Sequence, residues 1–140
     1  MILSEQIARY IDSNGHGIFD LDGTTSTIAV NMLYEDDNSI MVKETGGFNP
    51  KSSLGSGILH KKIQIKLRGS DDTIATSEKA IEIYNSLLSF SGKLTPTGDC
   101  IIHVQGLQSS PIHIGNDANR HPIMAMNFLF MVQDDNATYN

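Results

Sequence analysis

The sequence predicts an α+β domain, a mostly antiparallel sheet flanked by two helices, and three segments carry that prediction. Residues 61–68 alternate without a break. Ile63, Ile65 and Leu67 face one way, and Lys62, Gln64, Lys66 and Arg68 face the other, as the period-two geometry of a strand requires. After Asp71-Asp72 the spacing becomes helical, with Ile74, Ile81, Tyr84 and Leu88 recurring as a stripe. Residues 122–132 form a long extended run that is apolar on both faces, which calls for cover on both sides. The resulting order is helix, strands, helix, strands, and it lacks the alternation of a doubly wound parallel sheet.

The remaining elements follow along the chain. Ser4 is placed to cap a short helix in which Leu3, Ile7, Ala8 and Ile11 share a face. Asn14-Gly15 ends that helix, because both residues tolerate left-handed backbone. Residues 16–26 read as a loop, residues 27–34 as a strand through Ile28, Val30 and Met32, and residues 40–43 as a second extended segment. Four glycines and three serines fill residues 46–57 without any period, which predicts a long loop of functional or partner-bound character. Asp71 and Asp72 suit the positive end of the second helix, and Ala80, Ile83 and Leu87 widen its stripe. Ser91-Gly92 and residues 96–98 break the chain before a strand at residues 101–104. Ile112 and Ile114 make a short strand, and residues 115–119 a turn that leads into the last strand. A single domain is expected over residues 1–140, with residues 133–140 as a frayed tail.

Composition excludes several classes of function. At 140 residues and 15.3 kDa the chain suits one hydrophobic core. No apolar run reaches the length of about 18 residues that would span a bilayer, and the N-terminal residues do not read as a signal peptide. One thiol, Cys100, cannot form a disulfide within its own chain or a cysteine zinc site. The net charge of −6 argues against broad, tight binding of nucleic acid. That charge is unevenly placed. Glu5, Asp12, Asp20, Asp22, Glu35, Asp36 and Asp37 meet one base, Arg9, within residues 1–37, whereas the rest of the chain is neutral.

The most specific local string is Phe19-Asp20-Leu21-Asp22-Gly23-Thr24-Thr25. It resembles the Asp-x-Asp-Gly-Thr signature of magnesium-dependent phosphatases of the haloacid dehalogenase type. There the first carboxylate attacks phosphorus and the second handles the leaving-group proton. Asp20 and Asp22 would hold those roles here. The context differs, because that chemistry sits at the end of a buried parallel strand and only Ile18 and Phe19 precede this string. A surface turn rich in Asp, Gly and Thr accounts for the same letters. The five histidines, at 16, 60, 103, 113 and 121, show no metal-ligand spacing. No catalytic residue, metal or cofactor is expected. Lys62, Lys66 and Arg68 form a cationic stripe that is either a solvated face or a contact for an acidic partner, including the acidic first quarter of a neighbouring copy.

Several pieces, taken together in order, resemble a family of long-tailed bacteriophage proteins, the minor capsid or tail terminator proteins. They are Lys43-Glu44-Thr45-Gly46-Gly47 with the loop that follows, Ile63 through Gly69, and the helix from Ala80 to Leu88 with Ile83-Tyr84. Gln108-Ser109-Ser110-Pro111, Ile114-Gly115-Asn116-Asp117 and Met126-Asn127-Phe128 complete the set, so the resemblance covers roughly residues 1–132. It implies an α+β fold and a structural, non-enzymatic role in the virion. Such proteins form a homo-oligomeric, commonly hexameric ring at the head-proximal end of the tail. The ring caps the tail tube protein and meets a head-completion or connector protein. DNA passes through without specific binding, no membrane takes part, and assembly occurs in the cytoplasm of the bacterial host. A ring subunit must give its neighbour an apolar face or a loop. The candidates for subunit or tube contact are Gly46, Gly47 and Phe48 in the loop, Lys62, Lys66 and Arg68 on the stripe, and Met124, Met126 and Phe128 on the last strand.

Overall fold

A computed structural model of the chain describes residues 1–22, 25–47 and 58–133. The elements are α1 (Leu3–Ser13), β1 (Ile28–Val30), β2 (Ser39–Gly47), β3 (Ile58–Arg68), α2 (Thr73–Leu87), β4 (Gly92–Lys93), β5 (Cys100–Gly106), β6 (Ile112–Asn116) and β7 (Pro122–Gln133). The strands form one curled sheet of seven, in the order β1-β2-β3-β7-β5-β4, with β6 also on β7. All pairs are antiparallel except β1 with β2. The chain is therefore an α+β domain of the predicted class.

β7 organises the sheet because its length lets it serve two neighbours on one side. β5 pairs with its C-terminal half, where Val104 lies opposite Phe130, and β6 with its N-terminal half, where Ile112 lies opposite Ala125. β3 runs along the whole of its other side, from Ile58 opposite Gln133 to Arg68 opposite Ile123. The core forms on one face of this sheet. Ile40 and Val42 of β2, Ile63, Ile65 and Leu67 of β3, and Met126, Phe128 and Phe130 of β7 meet the helices there. The β3 alternation read from the sequence therefore holds, with Ile63, Ile65 and Leu67 all at 1% exposure or less.

α1 buries Leu3, Ile7, Ala8 and Ile11, the predicted stripe. Its start differs by one residue. Leu3 already belongs to the buried stripe, so the cap position falls on Ile2, and Ser4 is buried inside the first turn instead of capping it. The end follows expectation, with Asn14 as the cap and Gly15 at φ +81°, in left-handed backbone. α2 is capped by Asp72, whose carboxylate accepts the backbone N–H groups of Ile74 at 3.1 Å and Ala75 at 3.0 Å.

The buried stripe of α2 is the predicted one in part: Tyr84, Ala80, Ile83 and Leu87 turn inward as expected, whereas Ile74, Ile81 and Leu88 do not. Thr76, Ala80, Ile83, Tyr84 and Leu87 face the core. Ile74, Ile81 and Leu88 are 71%, 44% and 39% exposed. The row 74–81–88 lies one residue, about 100° of rotation, from the row through Ala80 and Leu87. α2 lies close to the backbone at two glycines, Gly69 just after β3 and Gly106 at the end of β5. A Cβ at Gly69 would overlap the Thr76 side chain, and one at Gly106 would meet the Tyr84 hydroxyl. Rotating the isoleucines inward would wedge branched side chains into a space sized for Thr76 and Ala80.

Candidate interaction surfaces

The face of the sheet opposite the core carries Lys62, Gln64, Lys66 and Arg68 of β3, set in register beside Leu129, Asn127, Ala125 and Ile123 of β7. On the β2 side, Lys66 lies opposite Met41, and Gln64 opposite Lys43. Met41, Ala125 and Leu129 are buried yet stand outside the core cluster. The second cover that β7 calls for is thus supplied in part by the half-buried lysine stems of the neighbouring strand.

Arg68 leaves the stripe. Its Nη1 donates to Asp117 Oδ2 at 2.5 Å, and both side chains are nearly buried, at 13% and 12% exposure. Asp117 lies in the turn between β6 and β7, and its other oxygen accepts the backbone N–H groups of Asn119 and His121, each at 2.9 Å. The His121 N–H is the largest of the effects holding the Asp117 carboxyl below its ordinary value. Burial opposes them, while Arg68, the Asn119 N–H and the charge of His121 add to them. The His121 ring in turn has Asp37 at 3.0 Å, Asp117 at 3.5 Å and Asp71 at 3.6 Å. This cluster ties the β1–β2, β3–α2 and β6–β7 connections together at one end of the sheet. Of the stripe, Lys62 and Lys66 remain on the open face, and Lys43 of β2 joins them.

Met126 and Phe128 do not lie at a surface, and Met124 reaches one only at the wall of a groove beside α2. Met124, Met126 and Phe128 are 6%, 0% and 0% exposed in the core of their own chain. Tyr84 stacks on Phe128 with ring centroids 5.2 Å apart, and Phe130 meets it edge-on at 6.1 Å. The apolar run that looked available for a neighbour is used beneath α2. Gly46 sits at φ +105° where the β2–β3 register shifts, opposite Lys62, and Gly47 pairs with Lys61. Gly46 and Gly47, expected to open the loop of residues 46–57, thus belong to β2, and Phe48 with the rest of that expected loop lies outside the described residues.

Asp20 and Asp22 lie in the turn before β1. The Asp20 carboxylate accepts the Asp22 backbone N–H at 3.0 Å and the Thr25 hydroxyl at 3.2 Å, so both of its oxygens hold the turn. Asp12 accepts the Phe19 N–H at 3.0 Å, fixing the approach to it. Asp20 also borders a groove of about 260 Å3 along the outer edge of β1, with Ile2, Phe19, Leu21, Met32 and Tyr34 in its walls. Among the described residues, no group of three or more His, Cys, Asp or Glu side chains is placed to hold a metal ion. No helix among them is long and apolar enough to cross a membrane.

A second groove, of about 360 Å3, runs between α2 and the β6–β7 pair, with Ile74, Ile81, His113 and Met124 in its walls. Ile74 and Ile81 line it because they turn out of the core, whereas their helical spacing alone places them within it. The available signal was the row of small residues, Thr76 and Ala80, next to them.

No protein-family model matches this chain, and no curated protein sequence matches it.

Proposed function

We propose that this chain is a structural virion protein, a ring-forming tail terminator that caps the tail tube of a long-tailed phage and joins it to the head. The observation that carries the reading is that the pieces which resemble the terminator family bond to one another across the fold. The Tyr84 hydroxyl donates to the Gln108 carbonyl, and the Gln108 side-chain oxygen accepts the Asn127 N–H at 3.0 Å. Arg68 likewise meets Asp117. Segments far apart in sequence thus form one scaffold, which is what a shared fold would keep together.

The charge distribution agrees with this role. A conduit for DNA works best when it does not grip phosphates, and the chain is acidic overall. Its partners on this reading are further copies of itself, the tail tube protein and a head-completion or connector protein. No cofactor and no catalytic residue belong to it. Native mass spectrometry of the full chain, alone and with isolated tail tubes, tests it. A closed oligomer, six copies on this reading, is the expected result. A strict monomer at every concentration, with tubes present, overturns it. So would magnesium-dependent turnover of a phosphate ester that Asp20→Asn abolishes, because that is the behaviour of the rival phosphatase.

A further inference from the structure

We infer that the ring contact joins two unlike surfaces: the acidic β1 edge of one copy seats the lysine-bearing open sheet face of a second copy. The inference rests on the ring reading above and names the surfaces that would meet. On the first surface, Leu21 and Met32 expose 71% and 55% of themselves at the β1 groove. Acidic residues neighbour them in sequence, Asp22 beside Leu21 and Glu35 and Asp36 just after the groove residue Tyr34. The single base of this quarter, Arg9, is already held by Glu5 at 3.3 Å. No ion pair among the described residues engages Asp22, Glu35 or Asp36.

The second surface is complementary. Lys43 and Lys66 stand on neighbouring strands, in rows two residues apart, around Met41, Ala125 and Asn127. No carboxylate shares those rows, and the nearby Asp117 is committed to Arg68. Neither lysine has an ion-pair partner among the described residues. Each surface thus presents charge of one sign that its own chain leaves unneutralised, over side chains that are partly apolar. Setting either surface against its own copy would oppose like charges, whereas setting one against the other pairs them. Repeated head to tail, such a contact between unlike patches builds a ring when the rotation from copy to copy closes, as the ring reading requires.

Charge reversal tests this directly. The variants are Glu35→Lys with Asp36→Lys, Lys43→Glu with Lys66→Glu, and all four together, with Lys43→Gln and Lys66→Gln as a milder pair. Assembly is read by native mass spectrometry on the full chain, alone and on tube ends, and folding by circular dichroism. Each reversed pair is expected to lose at least tenfold of the assembled fraction while staying folded, and the neutral pair to lose less. The fourfold variant is expected to regain assembly. Reversed pairs that assemble like wild type, or a fourfold variant that stays as dissociated as its parents, overturn this contact and leave the ring itself standing. A wild-type chain that never assembles, even on tubes, removes the ring and this contact together.

Discussion

Replacing Phe128 by leucine separates a core residue from an interface residue. Phe128 is 0% exposed, and its ring stacks on Tyr84 at 5.2 Å and meets Phe130 edge-on at 6.1 Å. Leucine keeps most of the volume, so the transfer and cavity loss is about 1 kcal/mol. The two ring pairs are worth roughly 0.5–1.5 kcal/mol each beyond their buried area. Together the variant should lose about 2–4 kcal/mol, which for a chain of this length lowers Tm by roughly 7–14 °C. Urea melts of variant and wild type at two protein concentrations, well separated, are the assay. A core residue gives the same difference at both, because the lost contacts lie within one chain. A residue that packs between copies gives a difference that depends on concentration. A loss below about 0.5 kcal/mol, or a difference that changes on dilution, would refute the core assignment.

Two further outcomes follow from the packing and the charges. Gly106→Ala sets a methyl against the Tyr84 hydroxyl and within 3.0 Å of Leu88 Cδ1, at a cost of about 1–3 kcal/mol. Tyr84→Phe alone costs about 1 kcal/mol through the lost bond to Gln108. The double variant should cost at least about 1 kcal/mol less than the sum in urea melts, and simple additivity would show that the hydroxyl is not what the glycine accommodates. Asp117 is held below the ordinary carboxylate value. It therefore adds stability above the unfolded carboxylate pKa of about 4 and loses that contribution as pH falls through its lower folded value. Asp117→Asn should flatten the acid limb of stability against pH, and an unchanged acid limb would remove Asp117 from that role.

Much of the candidate surface was legible before the fold, and the exceptions share a cause. The stripe Lys62, Lys66 and Arg68 follows from strand alternation alone, and Lys62 and Lys66 do lie on the open face. Arg68 does not stay with them, because its partner Asp117 is 49 residues away, and no local pattern announces that pair. The run from Met124 to Phe128 reads as an apolar face in search of cover, and its alternation is correct. α2 of the same chain, through Tyr84, covers the face that carries Met126 and Phe128, while Ala125 and Leu129 stand on the other face beside the lysine stems. The helical spacing of Ile74 and Ile81 likewise reads as core, and only packing turns them outward to line the α2–β6 groove.

The sequence by itself determined the α+β class, the two faces of β3, the acidic start of α2 and the confinement of net charge to residues 1–37. Those properties are local, because strand and helix periods and capping chemistry act over a few residues. Only the tertiary structure decided which row of α2 turns inward, where Arg68 finds its carboxylate and which neighbour covers β7. Each of those depends on surfaces brought together from distant parts of the chain. The close approach at Gly69 and Gly106 is the clearest instance: it admits Thr76 and the Tyr84 hydroxyl, while Ile74 and Ile81 stay outside.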